Sequence, residues 1–371
     1  MIHKTLCILA LLLAFTPLYL MADEPAGDDG DQPYYFYHAL PYGSESLVGP
    51  TRMITNGGFG ILQMENRSNQ IDDIQWANGW ENLWKNLLNP WDSIEAKGWW
   101  NFVKSELLPF SVDGASAKYW PNYTNHLIGG GMGYRNMREW YRHRGYEHEK
   151  RWALATITVY HFLNEVVEMN DKTNWRVDPV ADMYIFNIGG VLLFESDRVA
   201  RFFGETLNMR DWSFQPLFDP RNGTLEGVGQ NYMMRLRLGR TTPWHLFYHW
   251  GNSGELGLSR EIGGGHSLSA GAGFVAKNLE NVDGISETAQ LASTFGMFWD
   301  RNGSLMASFL YTKDKDYRYR VNVYPGVVKL GALRPGFTFI STRTKEFVAG
   351  VTLGNVPLWP VGIGSRVGND R

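Results

Sequence analysis

Six ionisable residues sit inside the most apolar part of this chain, at spacings suited to chemistry. His161, Glu165 and Glu168 fall at i, i+4 and i+7, one face of one helix. Asp178 and Asp182 fall at i and i+4 where the next apolar segment begins, and His126 opens the segment before. An ion buried alone is costly, so such groups are expected to meet one another. Three outcomes fit these residue types. Imidazole and carboxylate in one dry site make a general acid and base with tunable pKa values. The same groups at helical spacing suit a divalent metal, whose identity stays unknown. Alternatively they form a structural polar network fixing three helices in register. His126, His161, Glu165, Glu168, Asp178 and Asp182 are therefore the candidate catalytic set, with Asn164 or Asn187 completing their hydrogen bonds. No HExxH, Walker A, GxSxG, Rossmann or paired-cysteine signature is present, so no cofactor is called for. His143 and His148, in RHRGYEHEKR, read as a solvated loop.

The elements that must position these groups are legible as helices. Trp76, Trp80, Leu83, Trp84, Leu87 and Leu88 recur at three- and four-residue spacings. Pro90 stops that helix, and Trp91–Asp92–Ser93 opens another that runs to Leu108. Tryptophan at this density suits helices at a membrane interface or helices packed on a core. Three more helices are expected over 125–144, 149–169 and 180–203. Gly129–Gly131, Gly133 and Gly189–Gly190 allow close helix approach. Residues 204–227 read as a polar connector. Near the N-terminus, Tyr34–Tyr37 and Arg52–Glu65 read as short strands.

From Val228 the period switches from helical to two. Tyr232, Met234, Leu236 and Leu238 alternate with Met233, Arg235 and Arg237. Tyr317, Tyr319, Val321 and Val323 alternate with Arg318, Arg320 and Asn322. Asn302–Gly303 breaks two apolar runs as a tight hairpin turn would. About nine or ten strands are expected by this count, with one apolar face and one polar face carrying His249 among the arginines. That is the pattern of an antiparallel meander closing into an outer-membrane barrel; a soluble barrel is the competing form.

Composition agrees. Aromatics are 14%, with 15 Trp and 41 Gly, while mean hydropathy is only −0.30. Alternating strands dilute the apolar signal in this way, and a helical membrane protein would be greasier. The net charge of −3 and the lack of a basic stripe argue against a nucleic-acid partner. Lys4, the apolar run Leu6–Leu13 and the small residue Ala22 read as a cleaved signal peptide over 1–22, with a retained anchor as the alternative. Cys7, the only cysteine, starts that run, so the mature chain would lack thiols.

The segments NGWENLWKNLLNPWD (Asn78–Asp92), NHLIGGGMGYR (Asn125–Arg135), NEVVE (Asn164–Glu168) and DPVADMYIFNIGGVLLFE (Asp178–Glu195) resemble a family of Gram-negative outer-membrane proteins classed as a domain of unknown function. The resemblance covers roughly 76–195 and implies a C-terminal barrel. More distantly, His126, Glu165, Glu168, Asp182 and Asn187–Gly190 resemble the His…ExxQ…DxxxNxxG pattern of VanZ-like helical domains. Here Glu168 stands where those often have Gln, and Asn187 follows Asp182 by five residues rather than four.

The expected architecture is α+β: a helical insert of about five helices followed by an antiparallel β-barrel. Its expected divisions are a signal peptide (1–22), a disordered start with N-terminal strands (23–75), a helical block (76–203), a connector (204–227) and barrel strands (228–371). The expected role is that of an outer-membrane barrel in contact with membrane lipid, its helical insert plugging or bracing the barrel. Protein partners are unknown. The alternative is an envelope hydrolase acting on lipid or glycan through the His/Glu/Asp set.

Overall fold

The computed structural model describes residues 33–65, 67–109, 120–171, 176–281, 287–313, 316–354 and 361–368. The expected signal peptide and acidic start lie outside them.

The N-terminal stretch corrects the first expectation. Arg52–Glu65 is not a strand: Pro50–Gly58 is helix α1, followed by a 3-10 turn over Gly60–Gln63. Every residue of α1 is buried, so no polar face betrays a helical period. Gly57 and Gly58 are spacers rather than turn residues. A Cβ on Gly57 would overlap the Tyr160 ring, and one on Gly58 would lie 2.6 Å from Leu163. Tyr34–Tyr37 is also not a strand. The backbone N–H groups of Tyr35, Phe36 and Tyr37 all donate to Glu139 Oε2, at 3.0, 2.8 and 3.0 Å.

The tryptophan-rich stretch folds as its periodicity predicts. Helix α2 (Trp76–Leu88) ends before Pro90, which opens α3 (Pro90–Lys97). Gly98, at φ 85°, turns the chain into α4 (Trp99–Phe102), which continues as a π-helical turn to Leu107. The first expected apolar helix is a π-helical segment, Trp120–Gly130, running into α5 (Gly131–His143). The second is α6 (Glu149–Glu168). The third is segmented: α7 (Asp178–Ala181), a π-helical turn Asp182–Asn187, then α8 (Ile188–Glu195). Ser196, with extended backbone, separates α8 from α9 (Asp197–Arg201). Among the described residues, no helix is long and apolar enough to cross a membrane.

Residues 204–227 are not a mere connector. They hold β1 (Arg210–Asp211), β2 (Leu217–Asp219) and β3 (Thr224–Glu226), with Met209, Trp212, Leu217 and Leu225 buried. Ten strands follow: β4 (Tyr232–Arg237), β5 (Trp244–Trp250), β6 (Ser253–Gly263), β7 (His266–Asn281), β8 (Glu287–Arg301), β9 (Ser304–Thr312), β10 (Tyr317–Val323), β11 (Pro335–Thr342), β12 (Phe347–Leu353) and β13 (Gly362–Val367). Among the described residues all thirteen strands form one sheet, ordered β1, then β4 through β13 in succession, then β2 and β3. Pairing is antiparallel except between β13 and β2. Asn302 and Gly303, at φ 52° and 81°, form the two-residue turn between β8 and β9, as the Asn-Gly pair predicts.

The pairs Arg210↔Met233 and Leu217↔Glu226 share one register. Trp212 N–H donates to Asn231 O (2.9 Å) and Phe214 N–H to Gly229 O (3.0 Å) between them. So β1 and β2 are two parts of one bent hairpin arm, and β3 and β4 parts of the other.

The sheet's two faces are unlike: the buried one mixes apolar side chains such as Phe247, Phe298 and Ile340 with many polar ones, and the opposite one is largely apolar. The buried face carries Arg235, His249, Glu255, Ser259, Ser269, Thr294, Asp300, Arg320 and Asn322. The opposite face exposes Leu246, Leu256, Leu258, Phe274, Met297, Phe339 and Phe347. Two of the charges on the buried face meet an opposite group, whereas Arg320 meets the amide of Gln63. Arg235 and Asp300 form two bonds of 3.0 Å, and His249 Nδ1 lies 2.7 Å from Glu255 Oε2. The expected polar face also included Arg237 and Arg318. Arg237 is instead exposed, paired with Glu261 at 2.8 Å, and Arg318 is half-buried.

The segment 42–65 lies against that buried face. Glu45 N–H donates to Ser304 Oγ (3.1 Å), Gly43 N–H to Pro325 O (2.7 Å), and Arg320 Nη2 to Gln63 Oε1 (2.6 Å). Trp212 and Phe214 join Leu47, Phe247, Phe298 and Tyr324 in the cluster beside it. On its other side α1 packs with Met137, Trp140, Ile157 and Tyr160 of α5 and α6.

Candidate functional site

Three helical elements and one strand meet around His126. The π-helical segment Trp120–Gly130 carries His126, and α6 carries His161 and Glu165 one turn apart. The π-helical turn Asp182–Asn187 carries the residues that contact His126. Single π turns inside α-helices widen the backbone locally and are frequent at functional sites. Gly129, Gly130 and Gly131 permit the approach. A Cβ on Gly130 would lie 3.2 Å from His161 Nε2, and one on Gly131 would lie 2.6 Å from Gly190 O.

His126 Nδ1 lies 3.1 Å from Asn187 Oδ1, and its Nε2 lies 3.5 Å from Asp182 Oδ2. The His126 and His161 rings are 5.6 Å apart, and Tyr160 stacks on His161 at 3.9 Å. Burial lowers the His126 pKa to about 4, against smaller opposing effects of Asn187 and Asp178. His161 is lowered well below its ordinary value by burial and then by His126. Glu165 is raised well above its ordinary value by burial first, then by the charges of Glu168, Asp182 and Asp178. A hydrogen bond from Asn164 opposes that rise.

At neutral pH the cluster therefore holds two neutral imidazoles, and burial makes Glu165 hold its proton more readily than a free carboxyl does. The His126–Asp182 contact is not an ion pair at that pH. With Asn187 Oδ1 accepting from Nδ1–H, the Nε2 lone pair faces the carboxylate, and a proton placed between them joins the two groups. The same burial favours Glu165 as a proton donor and makes both imidazoles weak bases.

The expected set is thus partly assembled. His126, Asp182 and Asn187 are in contact, His161 stands beside them, and Glu165 senses Asp182 through charge. Glu168 and Asp178 are half-buried and act on Glu165 by their field. Sequence reasoning missed Tyr160 and Tyr232. Tyr232 belongs to β4, and its ring fills the space left by Gly129. Period-two alternation marked it only as one residue of an apolar strand face. Both His161 ring nitrogens and the Tyr232 hydroxyl are buried without a hydrogen-bond partner. His143 also departs from a solvated loop: it is half-buried, with its ring 5.4 Å from Tyr37 and 6.2 Å from Tyr34.

No protein-family model, curated protein or solved structure matches the chain. The chemistry of the site rests on its own geometry. Among the described residues no group of three or more His, Cys, Asp or Glu side chains is arranged to hold a metal ion.

Proposed function

We propose that this protein is an outer-membrane β-barrel whose sheet faces lipid and whose buried face is braced by segment 42–65 and the helical block. The apolar exposed face of the sheet, lying over a buried face rich in polar and charged groups, carries this reading. Leu256 is 59% and Phe347 58% exposed, whereas Glu255 and Asp300 are 0% exposed. In water that arrangement wastes apolar burial, and large exposed apolar faces are rare on soluble proteins. In a bilayer it is the expected one.

Two further observations support closure of the sheet on itself. Arg235 on β4 and Asp300 on β8 are four strand steps apart in the sheet, roughly 19 Å if it were flat. They nonetheless bond at 3.0 Å, so the sheet curls tightly. The two ends of the strand order also belong to one hairpin, since β1 leads into β2 and β3 into β4. Heat-modifiable gel migration and recovery in the outer-membrane fraction are the expected results. Recovery in the soluble periplasm would sink the reading.

A second reading, an envelope hydrolase acting on lipid or glycan, draws support from His161. A buried imidazole with both nitrogens free is costly unless something binds there. Comparing envelope lipids and glycans in a deletion strain and in a Glu165→Gln strain tests it. An unaltered profile in both would remove it.

A further inference from the structure

The helical block lies partly on the exposed side of the sheet. On β4 and β5 the cross-strand pairs Tyr232↔Trp250, Met234↔Tyr248 and Leu236↔Leu246 share one face, and Arg235, Phe247 and His249 belong to the other, buried one. The first face runs on to Leu256 and Leu258 of β6, the partners of Tyr248 and Leu246. At one end of the β4–β5 pair this wall is covered. Tyr232 and Trp250 join Met132 of α5 and Phe194 of α8 in one buried cluster, and Trp250 Nε1 donates to Thr124 O at 3.1 Å. At the other end Leu236 and Leu246 are exposed. The helices therefore overlap the apolar wall from outside.

The overlap extends the apolar surface onto the helices themselves. From Met183 to Phe194 the chain has no charged residue, and Tyr184, Ile185, Ile188 and Leu192 are exposed, Leu192 to 68%. A helix in water turns polar residues outward. The Tyr184 hydroxyl donates to Leu87 O at 2.7 Å, which sets this stripe beside the end of α2, where Trp84 and Leu88 are exposed. Charged groups stand at the ends of the stripe. Glu195 pairs with Lys150 at 2.8 Å where α8 ends, and Asp178 opens α7 ahead of it.

We infer that the exposed stripe of Tyr184, Ile185, Ile188 and Leu192, with Trp84 and Leu88, lies against the acyl chains of the bilayer beside the barrel wall. The helical block is then a lipid-contacting annex of the wall as well as a brace. The inference rests on the reading that the sheet's exposed face meets lipid, because Phe194, at the end of the stripe, packs with Tyr232 and Trp250 of that same wall. Lipid covers wall and stripe as one continuous occupant, and the rings of Tyr184 and Trp84 suit the polar edge of such a contact. A second copy of the chain is the competing occupant of the stripe.

The test uses the full chain with Cys7→Ser, purified and reconstituted alone into dioleoylphosphatidylcholine vesicles. Spin labels are placed one at a time through Ile188→Cys and Leu192→Cys on the stripe, Leu256→Cys on the wall and Glu147→Cys in an exposed loop. Power saturation with oxygen, which concentrates in acyl chains, is compared with a water-soluble nickel chelate. Labels at 188, 192 and 256 should favour oxygen over nickel severalfold more than the label at 147. Nickel access at 188 and 192 equal to that at 147, with 256 still in lipid, overturns the inference and leaves the barrel reading standing. Nickel access at 192 and 256 alike overturns both. Low access of both reagents at 188 and 192, with 256 in lipid, overturns the lipid assignment in favour of a second copy. Exposed positions tolerate substitution, and Ile185→Cys replaces either stripe variant that does not fold.

Discussion

Arg235 and Asp300 join β4 to β8 through two parallel hydrogen bonds of 3.0 Å, in a site where the side chains are 4% and 0% exposed. The pair clamps the sheet across three intervening strands. Asp300→Ala would leave a buried guanidinium without its anion, at a cost of about 3–5 kcal/mol. The expected result is a lower Tm of the purified protein. Arg235→Met combined with Asp300→Leu should recover much of the loss, because an apolar pair leaves no buried charge unmatched. A double variant no more stable than Asp300→Ala would contradict this account.

Stability should depend on pH through His126 and Glu165 in opposite senses. The folded-state pKa of His126 is lowered from 6.5 to about 4, so the unfolded chain binds the proton more readily between those values. Stability contributed by His126 is complete above 6.5 and is lost as pH falls toward about 4, to the extent of about 3 kcal/mol. Glu165 is raised above 4.5, so its folded state holds the proton more readily. Its contribution is complete below 4.5 and is lost as pH rises through the folded value. Tm of His126→Gln minus that of the unsubstituted protein should grow as pH falls below 6.5. For Glu165→Gln the same difference should grow as pH rises above 4.5. Flat differences across both windows would remove the assigned protonation states.

The His126–Asp182–Asn187 contact separates a structural cluster from a catalytic one. If the cluster only holds helices in register, His126→Ala should lower stability, and the envelope of the variant strain should keep its composition. If it is catalytic, Glu165→Gln should fold, migrate normally and reproduce the deletion phenotype. A Glu165→Gln strain that folds and is indistinguishable from the unsubstituted strain would leave only the structural role.

Gly57 sets the distance between α1 and α6. A Cβ there would overlap the Tyr160 ring, and Tyr160 in turn stacks on His161. Gly57→Val should therefore destabilise by about 1–3 kcal/mol through overpacking. Adding Tyr160→Ala should restore space and part of the loss. Additive losses in the double variant would show that the two sites do not share this contact.

Some features follow from the sequence alone because they are local. Pro90 ends one helix and begins another, since its ring and missing N–H break the ladder wherever they occur. Asn302–Gly303 adopts the positive φ values that hairpin turns require and that these residues tolerate best. The alternating strands after Val228 were visible because the sheet has two unlike faces, and unlike faces write a period into the chain. Tertiary structure alone decided the rest. Helix α1 is buried on all sides, so it carries no helical period, and its glycines serve the neighbouring helix rather than a turn. Residues 204–227 look polar in sequence, yet they form a largely buried hairpin, where distant groups meet some of their polar atoms, as Val323 O meets Gln215 Nε2 at 3.2 Å. His126 and Asp182 were expected to meet because lone buried ions are costly, with Asn164 or Asn187 completing them; that Asn187 is the one on His126, that Tyr160 stacks on His161 and that Tyr232 fills the space at Gly129 depended on how three helices and β4 pack.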